Sequence, residues 1–251
     1  MNRAFAVIAL VLATGCAKAR PPLAPNLRSF QEVPREPDDF TEPESEMNQD
    51  IPPFDPLHGA GIADQIKARF RGHDRLEPKT GTVMGSVKKF GDVAALANSL
   101  PSDDDMRHHT PPITTTTSER MTEEIQNVRV KAWIYAITYE SDQDWHVILG
   151  TDPSSASRTF FNAEVSGLPG PSAADFSTLR DVRQALADIL ANDLPSSNKY
   201  RVYDHPLPVV VEGPLFFDVD HAAGVVGPSK PTVMRPQTAW EIHPITKLML
   251  Q

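Results

Sequence analysis

The carboxyl-terminal half of the chain carries the clearest alternation of apolar and polar positions. After Asn127 an apolar side chain recurs at every second position: Val128, Val130, Ala132, Ile134 and Ala136. This period of two is typical of a half-buried strand, which we expect to run to about Tyr139. The same alternation predicts a second strand over 145–149 and a third over 159–165.

A period near 3.6 replaces the period of two after the glycine- and proline-rich stretch at 167–171. Apolar residues there recur three and four positions apart, at Phe176, Leu179, Val182, Leu186, Ile189 and Leu190. This spacing predicts an amphipathic helix, with Asp175 or Ser177 as its cap. Alternation then returns and predicts a fourth strand over 207–217, bent near Gly213, and a last strand over 239–250.

The predicted order is three strands, one helix and two more strands, all within 127–251. This is the order of an OB-fold, a five-stranded Greek-key barrel with a helix between its third and fourth strands. The expected fold is therefore mainly β with one helix, an OB-fold-like five-stranded barrel. An open α+β sheet with the helix on one face is the alternative.

The first sixteen residues have the layout of an export signal. Arg3 precedes an apolar run from Ala4 to Ala13, which is too short to span a membrane and is followed by small residues. The sequence Ala13-Thr14-Gly15-Cys16 resembles the lipobox of bacterial lipoproteins, in which the signal is removed before the cysteine and that cysteine is lipidated. The resemblance implies a signal peptide over 1–15, a lipid anchor on Cys16 and a protein of the bacterial cell envelope. An ordinary signal peptide cut near Ala17 or Ala19, so that Cys16 is removed, is the alternative.

The chain after Cys16 is rich in proline and acidic residues and has no hydrophobic periodicity. Pro21 to Pro56 holds nine prolines and nine acidic residues against two arginines. Such a composition favours a disordered tether over 16–56, because it offers little apolar surface to bury. The alternative is a leader that lies along the surface of the domain. Residues 57–126 are expected to be a partly ordered linker with a short helix over 60–71.

Charge and cysteine content exclude several classes of site. The chain has 24 Lys and Arg against 33 Asp and Glu, a net charge of -9, so nucleic acid is not expected as a partner. A single cysteine permits neither an internal disulfide nor a multi-cysteine zinc site. No phosphate-binding loop, dinucleotide fingerprint, nucleophile elbow or H-E-x-x-H pair is present, and no cofactor is predicted.

Polar residues on the predicted strands form a candidate binding site. Asp144 and His146 share one strand face, and Glu241 and His243 repeat the arrangement on the last strand, because side chains alternate with a period of two. Asp218 and His221 follow the fourth strand. Imidazole and carboxylate groups serve metal sites and acid–base chemistry, but they also stabilise strand ends as buried, hydrogen-bonded groups. Whether a metal binds stays open at this point.

Three segments of the same half resemble a family of exported bacterial proteins without an established function. They are Glu140-Ser-Asp-Gln-Asp-Trp-His-Val-Ile-Leu149, Gly213-Pro-Leu-Phe-Phe-Asp-Val-Asp-His221 and Trp240-Glu-Ile-His-Pro-Ile245, in that order. The resemblance covers about 127–250 and implies a β-rich, OB-like domain. The candidate site residues that the resemblance implies are Asp144, His146, Asp218, His221, Glu241 and His243.

Two functions therefore follow as expectations. The first is a non-enzymatic binding or interaction module displayed on the envelope, with a protein or saccharide as ligand. The second is a metal-assisted hydrolase of a phosphodiester or glycan that uses the Asp, His and Glu residues. Histidines that converge with carboxylates would favour the second hypothesis, and scattered histidines bonded to backbone would favour the first.

Overall fold

The computed structural model describes residues 29–34, 75–114, 119–140, 143–219 and 234–251. Cys16, most of the predicted tether, the predicted helix over 60–71 and His221 lie outside these residues. The strands are β1 Phe30–Pro34, β2 Val87–Phe90, β3 Asn127–Tyr139, β4 Trp145–Gly150, β5 Phe160–Val165, β6 Lys199–Phe217, β7 Trp240–Ile242 and β8 Lys247–Leu250. The helices are α1 Leu76–Thr80, α2 Val93–Ala97, α3 Asp103–Arg107 and α4 Phe176–Leu190, with 3-10 turns at Thr122–Glu124 and Ala191–Asp193.

The fold is mainly β, and five of its strands close into a ring of hydrogen-bonded pairs. Strands β3, β4 and β5 follow one another antiparallel, and β6 returns to pair antiparallel with β3. Strand β7 completes the ring because it pairs parallel with β5 and antiparallel with β6. Strands β1 and β8 add to β6, and β2 adds parallel to β3.

The predicted strands β3, β4 and β5 and the helix α4 are confirmed, because their patterns are local. The structure corrects the ends of the other two strands. The strand β6 begins at Lys199, well before the expected Leu207, and the last strand is divided into β7 and β8. Gly213 lies between the parts of β6 that pair with β7 and with β8; a Cβ there would meet the Pro244 carbonyl oxygen and lie 3.3 Å from Ile245 Cα. The glycine thus permits the close approach of the chain that joins β7 to β8.

Helix α4 packs its apolar stripe against the strands. Its residues Val182, Leu186 and Leu190 belong to the main core, as the helical spacing predicted. Asp175 precedes the helix, but its carboxylate accepts hydrogen bonds from Thr82 instead of capping the helix. Among the residues that the structure describes, no helix is long and apolar enough to span a membrane.

The main core lies on one face of the ring strands. Its largest fully buried members include Trp145, Phe161, Phe217 and Trp240. Because neighbouring residues of a strand point to opposite faces, the residues between these core positions face the other side. Those positions hold the polar residues of the candidate site.

The strand β1 corrects the prediction of a wholly disordered tether over 16–56. It pairs antiparallel with the start of β6, from Phe30 opposite Tyr203 to Pro34 opposite Lys199. The Phe30 ring packs edge-on against Tyr203 at 6.4 Å between ring centroids, and Val33 is buried. For residues 30–34 the leader that lies along the domain is therefore the better description.

Residues before Asn127, which the sequence assigned to a linker, also contribute to the core. Val93, Leu96 and Met106 are buried in the main cluster. Helix α3 begins with a capping box between Ser102 and Asp105. The adjacent Asp103 accepts a hydrogen bond of 2.9 Å from the Ala239 backbone N–H. The middle segment thereby fixes the start of β7, the strand that carries Glu241.

A buried ion pair closes this middle segment against β6. The Arg75 guanidinium donates to both carboxylate oxygens of Glu124, at 2.7 Å and 2.6 Å, and to the Phe217 carbonyl at 3.2 Å. The Phe217 backbone N–H donates to Glu124 in return, at 2.9 Å. We call this arrangement of Arg75, Glu124 and Phe217 the buried clasp.

Candidate metal centre

Polar side chains on β4, β5 and β7 converge on the face of the sheet opposite the main core. We call the set of Asp144, His146, Glu164, Glu241 and His243 the acidic-histidine cluster. All five are buried, with between 0% and 3% of their surface exposed. A group of ionisable side chains removed from water in this way must be paired, protonated or bound to a cation.

Glu164 occupies the centre of the cluster because β5 is the middle strand of the three. Across β4 it stands opposite His146. On the other side the β5–β7 pair is parallel, with Ala163 opposite Ile242, so His243 follows beside Glu164. Glu164 Oε2 lies 3.0 Å from His243 Nδ1 and 3.5 Å from Lys79 Nζ.

The imidazole of His146 is oriented by two oxygens on its outer side. Its Nδ1 lies 2.8 Å from the Tyr200 hydroxyl and 3.3 Å from Glu140 Oε1. An Nδ1–H shared with these oxygens places the lone pair of the ring on Nε2. Metal-binding histidines are commonly held in this manner, with the second nitrogen hydrogen-bonded to an outer oxygen.

His243 lies between two carboxylates. Its Nε2 is 3.5 Å from Asp144 Oδ2, and its Nδ1 faces Glu164. Neither ring nitrogen makes a hydrogen bond of acceptable geometry with a described residue. The backbone at this point is held by Arg120, which donates to the His243 carbonyl at 2.8 Å.

Asp144 is fixed from both ends of its loop. Its Oδ1 accepts a hydrogen bond of 2.5 Å from the Gly167 backbone N–H. Arg183 on α4 donates to the carbonyls of Gln143 and Ser166, at 2.9 Å each. The helix that the sequence predicted therefore positions the first residue of the candidate site.

The two central glutamates have pKa values that move in opposite directions. Burial alone would raise the pKa of Glu164, but the positive charge of Lys79 and the contact with His243 hold it well below its ordinary value. Burial, together with the negative charges of Glu164 and Asp218, raises the pKa of Glu241 well above its ordinary value. Burial also lowers the pKa of the His243 imidazole, against the attraction of Glu164.

Two overlapping sets of three ligands have the spacing of a metal site. Within each set the ligand atoms lie within 4.8 Å of one another. One set is His146, Glu164 and Glu241, and the other is Asp144, Glu164 and His243. Glu241 is only 1% exposed, and its carboxyl group is close enough to Glu164 for the two to interact. Imidazole nitrogen and carboxylate oxygen are ligands that divalent transition metals accept together.

The structure brings together four of the residues that the sequence singled out, namely Asp144, His146, Glu241 and His243. Asp218 lies at the end of β6, where its charge acts on Glu241. His221 and Cys16 fall outside the described residues. His146 and His243 both face carboxylates.

Sequence reasoning placed Glu164 on the third strand but did not select it for the site. The alternation of Asn162, Glu164 and Ser166 with the apolar residues of β5 is the signal that would have selected it. Tyr200 and Lys79 carried no such signal, because they reach the cluster only through long-range packing.

Comparisons of the chain with protein-family models, curated protein sequences and solved structures give no significant match. Any functional proposal for this protein therefore rests on the geometry of the site itself.

Proposed function

We propose that this protein binds a divalent metal ion through His146, Glu164 and Glu241. The observation that carries the proposal is the convergence of two buried carboxyl groups, Glu164 and Glu241, with the imidazole of His146; their ligand atoms lie within 4.8 Å of one another. A cation would offset the negative charge of the two glutamates. Zn²⁺ and Mn²⁺ accept this mixture of nitrogen and oxygen ligands.

The geometry favours metal binding over the protein or saccharide ligand that the sequence suggested first. A saccharide or protein partner needs an accessible polar face, whereas every member of the acidic-histidine cluster is at least nine-tenths buried. Hydrolysis would require in addition an open coordination position and a cleft for substrate. We therefore propose a closed metal site rather than a hydrolytic one.

We further propose that the metal site is carried by an OB-fold-like domain. The spatial order β6–β3–β4–β5 is that of a Greek key, with a fourth strand beside the first. Helix α4 lies between the third and fourth strands of the ring, as in an OB-fold. The resemblance of the three motif segments to an exported bacterial family supports the same proposal.

Substitution of Glu241 by glutamine should reduce the metal content of the protein. The amide keeps the shape of the side chain but removes the charge that would bind the ion. The full chain, freed of metal and reconstituted with Zn²⁺ or Mn²⁺, is analysed by mass spectrometry for metal per chain. The variant should hold at least one ion fewer than the parent protein.

Glu212→Gln is the matched control for this experiment. Glu212 is also a buried glutamate on a ring strand, but its carboxylate pairs with Arg129 at 2.5 Å, outside the cluster. The Glu212→Gln variant should have the same metal content as the parent protein. A parent protein that retains no metal, or a Glu241→Gln protein that retains as much as the parent, would overturn the proposal.

We propose that the domain is tethered to a membrane of the bacterial cell envelope by lipid on Cys16. The lipobox-like sequence supports this proposal, as does the position of the only cysteine within it. Cells fed a labelled fatty acid should incorporate label into the protein, and Cys16→Ser should abolish the incorporation. Equal labelling of the two proteins, or none in the parent, would contradict the lipid anchor.

A further inference from the structure

A second set of ligands adjoins the proposed metal site and is not used by it. Asp144 comes from the β4 side of Glu164 and His243 from the β7 side, as His146 and Glu241 do in the first set, but the second set lies further along β5. Their ligand atoms and that of Glu164 are within 4.8 Å of one another, and all three residues are buried. The two sets share Glu164 alone.

His243 provides an independent sign that this second set takes a ligand. The side chain is 0% exposed, and neither ring nitrogen makes a hydrogen bond with a described residue. A buried imidazole without a hydrogen bond is costly, since each nitrogen was solvated in the unfolded chain. Coordination of an ion by one nitrogen, with the other directed to a carboxylate, would satisfy the ring.

The position of Glu164 is suited to a bridging ligand. A carboxylate has two oxygens and can bind two ions at once, and paired metal ions in proteins lie about 3.5–4 Å apart. Glu164 stands on the middle strand between the two sets of ligands, which follow one another along that strand.

The charges of the cluster also leave room for a second cation. Lys79 Nζ lies 3.5 Å from Glu164 Oε2. The carboxyl groups of Asp144, Glu164 and Glu241 lie together in the cluster, with Asp218 close enough to act on Glu241. A second divalent cation would be attracted by these carboxyl groups.

We propose that Asp144, Glu164 and His243 bind a second divalent ion, so that Glu164 bridges a two-metal centre. This inference rests on the proposed function, which supplies the first ion. Asp144 Oδ1 is engaged by the Gly167 N–H, so Oδ2, which faces His243, is the oxygen that binds the ion.

The number of ions per chain and their magnetic coupling test the second site. The full chain is solubilised in detergent, stripped of metal and loaded with Mn²⁺ alone. Mass spectrometry should then find about two ions per chain. Electron paramagnetic resonance should show the spectrum of two coupled Mn²⁺ ions instead of that of an isolated ion.

Asp144→Asn and His243→Gln should each reduce the content to about one ion and remove the coupling. His205→Gln replaces an exposed histidine of β6 and should change neither. Circular dichroism shows whether each variant is folded. If a variant is unfolded, the ion count and magnetic coupling of the parent protein still test the second site. One uncoupled ion in the parent would overturn the second site and leave the first. No bound ion would overturn both proposals.

Discussion

Replacement of Glu124 by alanine is expected to lower the free energy of unfolding by about 3–5 kcal/mol. Glu124 is fully buried, and each of its oxygens accepts a bond from Arg75 and one from a backbone N–H, of Phe217 or Met121. The alanine would leave a buried guanidinium without its counter-charge and two backbone donors without acceptors. Urea unfolding followed by tryptophan fluorescence measures the loss.

Glu123→Ala provides the control, because it removes a neighbouring carboxylate from the same 3-10 turn. The Glu123 side chain is 35% exposed and faces His109 at 3.3 Å. A partly exposed pair of this kind contributes about 0–1 kcal/mol, so this variant should unfold close to the parent. If Glu124→Ala also unfolds like the parent, the buried clasp does not hold the middle segment to β6.

The buried clasp shows why the sequence underestimated the middle segment. Arg75 and Glu124 are separated by 49 positions, and the bond to Phe217 spans 142. Neither residue differs from a solvated charge when only its neighbours in sequence are considered. Hydrophobic periodicity reports a local face and contains no information on such distant pairing.

Elements with a strong local period were predicted well for the same reason. Helix α4 has an apolar residue on each turn, and its bounds follow from the pattern. The observed bounds of β3 likewise agree with its alternation of apolar and polar residues. The start of β6 could not be predicted in this way, because Asp204, His205 and Pro206 interrupt the alternation there. Its pairing with β1 and β3 outweighs that local pattern.

The sequence alone could group the residues of the candidate site only two by two. The period of two places Asp144 with His146 and Glu241 with His243, which required no long-range information. Their convergence depends on the parallel pairing of β5 with β7, across a gap of nearly eighty residues in the chain. Tyr200 reaches His146 from the part of β6 that the sequence missed, so this partner could not be predicted.

Replacement of Trp240 by alanine is expected to cost about 3–5 kcal/mol of stability, because it opens a large cavity in the main core. Trp240 is 0% exposed and packs edge-on against Phe217 at 5.4 Å between ring centroids. Its indole N–H donates to the Pro101 carbonyl at 3.0 Å, which would lose its donor as well. Thermal melts of the parent and the variant measure the difference.

Trp133→Ala separates this loss from the general effect of removing a tryptophan. Trp133 is only half-buried on β3 and lies outside the main core, so its loss should cost less than about half as much. Trp240 and Glu241 are neighbours on β7, and their side chains must therefore point to opposite faces. A Trp240→Ala protein that melts like the parent would place Trp240 away from the core and remove Glu241 from the acidic-histidine cluster. If Trp240 and Glu241 lie on opposite faces of β7, Trp240→Ala should greatly reduce stability. The folded fraction of the variant should keep its metal content.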